Sequence, residues 1–157
     1  FIKGLSEEES DDRFINHGQL LHTLFSAIET KEDIESAIQK LVFEGVIGSK
    51  ETEEEIRTLT MKAFSLPEVQ EWYSGEWKLF NECAIIYKDK GVLQTRRPDR
   101  VMMKDGQVVV VDFKFGKENK KYNKQVKGYM QLLSRMGYKN ITGYLWYVEE
   151  GLIVKVK

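Results

Sequence analysis

The chain has one cysteine, Cys83, and two prolines, Pro67 and Pro98, among 157 residues. A single thiol excludes an internal disulfide framework, a cysteine zinc cage and a four-cysteine iron–sulfur cluster. It fits a reducing, intracellular compartment. No apolar run approaches the roughly 18 residues that a spanning helix needs, and no secretory apolar stretch opens the chain. There is no repeat, no Gly- or Pro-rich linker and no G-x-x-x-x-G-K-[ST] loop, so no helicase motor lies in these residues. What is present is an ordinary mix, 41% hydrophobic and 31% charged, which excludes disordered, collagen-like and coiled-coil compositions. The length suits one domain, 1–157, by the usual prior of roughly 100–200 residues. Phe1 rather than Met at the start reads as a piece of something longer.

The net charge of −1 hides an asymmetry. Residues 1–89 carry 9 Lys and Arg against 19 Asp and Glu, and residues 90–157 carry 15 against 6. A basic half suggests a polyanion surface. The alternative is an acidic half that faces the basic half within the molecule.

Hydrophobic periodicity changes once, near residue 75. A helical part spans about 14–66. Leu21, Leu24, Phe25 and Ile28 make one apolar helix face. Thr30 with Asp33 resembles a capping box, and the helix it opens buries Ile34, Ile38 and Leu41 before Gly45. Thr52 with Glu55 repeats the start signal for a helix that ends near Phe64, before Pro67. Glu71–Trp77 reads as a packed aromatic connector. An α/β part spans about 75–157, with strands expected over 78–88, 92–103 and 107–115. A helix follows over 119–137, presenting Tyr122, Val126, Tyr129, Leu133 and Met136, and strands close the chain over 141–148 and 152–156. The fold class is mixed α/β with an antiparallel meander.

The most informative stretch is RRPDRVMMKDGQVVVVDFKFGK, residues 96–117. Asp105-Gly106 between apolar runs predicts a two-residue type I′ hairpin turn. That turn fixes the register. Lys104 faces Gln107, Val101 faces Val110, and Asp99 faces Asp112. Lys114, two residues past Asp112, shares its face. Opposed Cβ atoms lie roughly 4.5–5.5 Å apart, where like charges destabilise a sheet. A divalent cation such as Mg²⁺ compensates naturally. The bland alternative is that both acids face solvent and pair with Arg97 or Arg100.

Four weaker features accompany the hairpin. Gly18 and His22 form a GxxxH on the first helix, and Gln125 and Tyr129 form a QxxxY on the last; residues four apart share a helix face. Lys114, Lys117, Lys120, Lys121, Lys124 and Lys127 fall within fourteen residues, with Glu118 the only acid among them. Phosphate contact and a solvated helix face both account for such a run. Glu82, on the strand before Asp99, is either a supporting acid, a DNA contact or an exposed strand residue.

Pro98-Asp99, then Asp112-Phe113-Lys114 thirteen residues later, resembles the PD-(D/E)xK nuclease signature. GxxxH, Glu82, PD, DxK and QxxxY follow one another in the order of RecB-like nucleases, the modules at the C-termini of RecB-, AddA- and UvrD-type helicase–nucleases. The resemblance covers about residues 14–130, and the ending YLWYVEEGLIVKV is similar to the tails of such modules. It implies a restriction-endonuclease-like core and a Mg²⁺- or Mn²⁺-dependent deoxyribonuclease, acting as an exonuclease in repair or recombination. It implies DNA and a helicase motor as partners and a bacterial cytoplasmic setting. Some relatives carry a four-cysteine cluster, which this chain cannot. As metal ligands it implies His22, Asp99 and Asp112, with the Phe113 backbone carbonyl as a fourth. Lys114 joins the two acids as a catalytic residue. Gln125 and Tyr129 position the site, and Lys117, Lys120, Lys121 and Lys124 track the DNA backbone. The imidazole ligand suits Mn²⁺ better than Mg²⁺. A catalytically silent DNA-binding module and a motor-docking module are the alternatives with the same fold.

Overall fold

The computed structural model describes residues 7–80 and 85–157. Four helices come first: α1 (Glu7–Ala27), α2 (Ile34–Phe43), α3 (Lys50–Ala63) and α4 (Pro67–Trp72). Seven strands and one helix follow: β1 (Lys78–Leu79), β2 (Ile85–Asp89), β3 (Val92–Arg96), β4 (Arg100–Lys104), β5 (Gln107–Lys114), α5 (Lys121–Arg135), β6 (Ile141–Tyr147) and β7 (Leu152–Val156). A five-stranded sheet runs β1-β4-β5-β6-β7. Its pairs are antiparallel except β5–β6, which is parallel because α5 carries the chain across. The mixed sheet with helices on both faces is the expected restriction-endonuclease-like architecture.

The Val108–Val111 run is buried on both faces, and its alternation divides the core. Val109, Val111 and Phe113 pack with α1–α4 through Leu24, Phe25, Ile28 and Trp72. Val108 and Val110 pack with Tyr129 and Leu133 of α5. By the period of two, Asp112 and Lys114 belong to the α5 face. Gly143 of β6 lets α5 come close. A Cβ there would lie 2.5 Å from Met130 Sδ and 2.6 Å from Val126 Cγ1.

The hairpin register is as the turn dictates. Lys104 pairs with Gln107 and Val101 with Val110. Asp105 (φ 50°) and Gly106 (φ 78°) both take the left-handed conformation of a type I′ turn.

Five expectations need correction. The residues expected as one strand over 78–88 serve two sheets: β1 joins β4 in the large sheet, and β2 pairs with β3 in a separate two-stranded ribbon. The strand expected over 92–103 is interrupted before β4, where Pro98 removes a backbone donor. Helix α3 is capped by Ser49, whose Oγ accepts from the Thr52 N–H at 3.1 Å, so Thr52 is inside the helix rather than at its cap. Glu71–Trp77 is not all connector, because Pro67 starts a short helix that runs to Trp72. Met136 is exposed, since α5 ends at Arg135 and Gly137 turns the chain at φ 99°.

Between α1 and α2 the Thr30–Asp33 cap is present in its backbone half. The Asp33 carboxylate accepts from the N–H of Thr30 at 3.0 Å and of Glu29 at 3.2 Å. No helix among the described residues is long and apolar enough to cross a membrane.

Candidate active site

Asp99, Asp112, Lys114, His22, Gln125 and Tyr129 form one connected group. Each is placed by an element whose packing is decided elsewhere. Helix α1 is docked by Leu21, Leu24, Phe25 and Ile28, all essentially buried. That leaves His22 at the helix edge, 6.2 Å ring to ring from Phe113 of β5. The His22 side chain remains about half exposed, which leaves an open side to the site.

Asp99 stands just before β4 and is held from two sides. One carboxylate oxygen bonds His22 Nε2 directly. The other accepts the Phe113 backbone N–H at 2.8 Å. The Asp99 and Asp112 carboxyl groups are close enough for each to shift the other's proton affinity. Lys114 Nζ lies 2.8 Å from Asp112 Oδ2, without the alignment of a hydrogen bond, so that this buried oxygen has no hydrogen-bond partner. Lys114 Nζ donates instead to Gln125 Oε1 at 3.1 Å, and Gln125 Nε2 donates to the Tyr129 hydroxyl at 3.0 Å. The Tyr122 ring lies under the same ammonium, 4.2 Å from its centroid.

Burial separates the two acids. Asp112 is pushed up to about 7 by its buried position, then by the hydrogen bond to Asp99 and that neighbour's charge. Burial acts on Asp99 in the same direction. There the His22 bond, the Asp112 bond and the Phe113 N–H outweigh it and hold the group below its ordinary value. His22 is raised, chiefly by its bond to Asp99. The Tyr129 hydroxyl is raised by burial and then by the Asp112 charge. The shifts favour an ionised Asp99, the protonated form of His22 and the neutral form of Asp112.

Among the described residues no three His, Cys, Asp or Glu side chains are disposed around one point as a ready ligand set. His22 is closed onto Asp99, which also accepts the Phe113 N–H. The donor chemistry nevertheless fits a divalent ion. Two carboxylates and an imidazole meet, and Asp112 Oδ2 keeps an unspent acceptor.

The lysines divide. Lys121 and Lys124 line a recess of about 500 Å³ with Gln125, Tyr129 and Arg96. Lys117 and Lys120 are exposed on the loop before α5. Glu82 lies outside the described residues. Gly18 has open space where a Cβ would stand, so among the described residues no other element uses the room it leaves beside α1.

Arg100 was weighed in the sequence only as a partner for the acids. It is buried and faces away from them. Its guanidinium donates to the carbonyls of Ile28 (3.2 Å), Glu29 (3.0 Å) and Trp72 (2.8 Å), and lies 3.7 Å from the Tyr73 ring centroid. It ties the start of β4, and hence Asp99, to the ends of α1 and α4. Its position beside the PD dipeptide gave no cue to this. Arg96 was also missed, and only its place on the ribbon brings it to α5.

The comparison with curated proteins finds none that matches. The model of the PD-(D/E)XK nuclease superfamily matches residues 2–156. With the hairpin acids and Lys114 in place, and the match spanning nearly the whole length, the chain belongs to the PD-(D/E)XK nuclease superfamily.

Proposed function

We propose that the chain is a metal-dependent deoxyribonuclease module of a helicase–nuclease, hydrolysing phosphodiesters as an exonuclease in DNA repair or recombination. One observation carries the reading. Asp99 and Asp112 are opposed and nearly buried, Lys114 Nζ is 2.8 Å from Asp112, and an Asp112 oxygen has no hydrogen bond. Two acids held together in a buried place destabilise each other, which stability alone does not explain.

Members of the superfamily generally use divalent metals. Here Asp99, Asp112, His22 and the Phe113 carbonyl would hold the ion. When bound, it supplies a water of lowered pKa and positive charge against the phosphoryl oxygens. The remaining work belongs to side chains. Lys114, fixed by Gln125 and the Tyr122 ring, orients the attacking water and offsets charge that builds on the phosphoryl group. Gln125 and Tyr129 hold that lysine in place. The lysines of α5 and its preceding loop bind backbone phosphates, which confers little sequence preference.

The test is cleavage of linear and circular, single- and double-stranded DNA with Mg²⁺ or Mn²⁺, with Asp112→Ala and Lys114→Ala in parallel. Degradation of linear substrates only, lost in both variants, supports the reading. Cleaved circles replace exonuclease by endonuclease. No cleavage and no heat of Mn²⁺ binding would leave a DNA-binding or docking module.

Docking on a motor domain is compatible with catalysis and has its own support. A groove of about 920 Å³ has Leu59, Leu66 and Val148 among its lining, with Glu51, Glu55 and Glu149. An apolar groove bordered by acids suits a basic amphipathic segment. Charge reversal at Glu51 and Glu55 that left binding of the motor unchanged would remove this second reading.

A further inference from the structure

Helix α5 carries a row of side chains at three- and four-residue spacing: Lys121, Lys124, Gln125, then position 128, then Tyr129. The row faces the recess of about 500 Å³, and one position in it has no side chain. That position is Gly128. A glycine inside a helix costs roughly 0.5–1 kcal/mol relative to alanine, so it calls for a reason. The reason visible here comes from another element. Arg96, the last residue of β3, places Nη1 only 3.2 Å from where a Gly128 Cβ would stand. The ribbon thus inserts a guanidinium into the gap that the helix leaves.

The outcome is a recess lined, among the described residues, by three cations, Arg96, Lys121 and Lys124, and by no acid. At its other side stand Gln125 and Tyr129, and Gln125 is bonded to the catalytic Lys114. A guanidinium presents a planar fork of donors that matches a phosphate, and the two ammonium groups add unoriented charge.

The geometry points to a second phosphate site: the β2–β3 ribbon and α5 grip, through Arg96, Lys121 and Lys124, an internucleotide phosphodiester next to the one that is cleaved. The ribbon is therefore a jaw that closes one side of the path of the strand. The inference rests on the nuclease reading and names its substrate contact. Arg96 acts on binding and register of the strand, not on the bond broken.

Two measurements on the full chain test it. Binding of a fluorescein-labelled oligothymidylate is followed against KCl concentration in chelator, where nothing is cleaved. Steady-state cleavage of the same strand is followed in Mn²⁺. Arg96→Ala should lower the slope of log K against log[KCl] by about 0.7, the value for one single-strand phosphate contact. KM should rise about tenfold, the lower end for one charge-assisted hydrogen bond, with kcat within about twofold. Arg96→Lys should restore the slope and only part of the KM, because the charge returns without the fork.

Gly128→Leu deletes no charge and improves helix propensity, yet fills the guanidinium's place. It should match Arg96→Ala in slope and KM without a fall in melting temperature. A folded Arg96→Ala or Gly128→Leu protein with unchanged slope and KM, beside an active wild type, overturns the phosphate site and makes Arg96 a staple between ribbon and helix. A wild type that neither binds nor cleaves overturns the nuclease reading itself, and the phosphate site with it.

Discussion

Asp99 and Asp112 meet across the β4–β5 hairpin, and their surroundings drive their proton affinities apart. Asp112 is raised to about 7 and Asp99 is held below its usual value. The consequence for stability follows from linkage. An unfolded Asp titrates near 3.9. Between that value and about 7 the unfolded chain has released the Asp112 proton and the folded chain keeps it, so stability falls as pH rises. His22, raised in the fold, adds to the same trend, because its contribution is present below its unfolded value and is lost as pH rises through the folded one. Asp99 acts oppositely, and only at the acid end.

The melting temperature in chelator should therefore be higher near pH 5 than near pH 8. Asp112→Asn removes the group that titrates and should flatten the curve. Scanning calorimetry at several pH values reads this directly. A wild-type melting temperature that rises between those pH values would contradict the assignment.

The pairing of these two acids was legible in the sequence because a two-residue turn leaves no freedom. Asp105-Gly106 set the register, which runs as far as Arg100 opposite Val111 and so brings Asp99 up to Asp112. The helix faces were legible for the same kind of reason: Leu21, Leu24, Phe25 and Ile28 repeat with the helical period and are buried. The ribbon was not. Lys90-Gly91 is also a tight turn, with φ 51° and 79°, and it closes β2–β3. Its strands continue in sequence into those of the large sheet, so periodicity ran across the breaks. Nor could the chain alone show that Arg100 serves three carbonyls from α1 and α4, or that Arg96 meets Gly128. Those contacts join residues 28 or more positions apart, and no local pattern encodes them.

Arg100 should dominate the stability of the hairpin base. Arg100→Met keeps an apolar stem but leaves the carbonyls of Ile28, Glu29 and Trp72 without this donor. The loss should be about 3 kcal/mol or more, since an unsatisfied buried group costs about 1–3 kcal/mol. Urea denaturation gives the value. A change below about 1 kcal/mol would mean that water reaches those carbonyls.

Gly143→Ala should move α5. The new Cβ would overlap Met130 Sδ and Val126 Cγ1, contacts at 2.5 and 2.6 Å that must open. Overpacking of this kind typically costs about 1–3 kcal/mol. Because α5 carries Gln125 and Tyr129, cleavage should fall by more than the unfolded fraction explains. Adding Met130→Ala makes room and should recover both. Recovery of stability without recovery of cleavage would separate the helix position from the site.

Metal binding should appear first as stability. An ion that binds only the folded chain raises stability by RT ln(1 + [L]/Kd), about 2.7 kcal/mol at a hundredfold excess over Kd. The ion must displace the proton of Asp112 and open the His22–Asp99 bond, so the gain should grow with pH. Mn²⁺ should thus raise the melting temperature clearly near pH 8 and little near pH 5, where protons hold the same oxygens. His22→Ala should weaken the Mn²⁺ effect more than the Mg²⁺ effect, because a nitrogen ligand matters more to the transition metal. Asp112→Asn should abolish both. An equal shift in wild type and Asp112→Asn would place the ion on the surface glutamates instead, since that variant leaves every one of them in place.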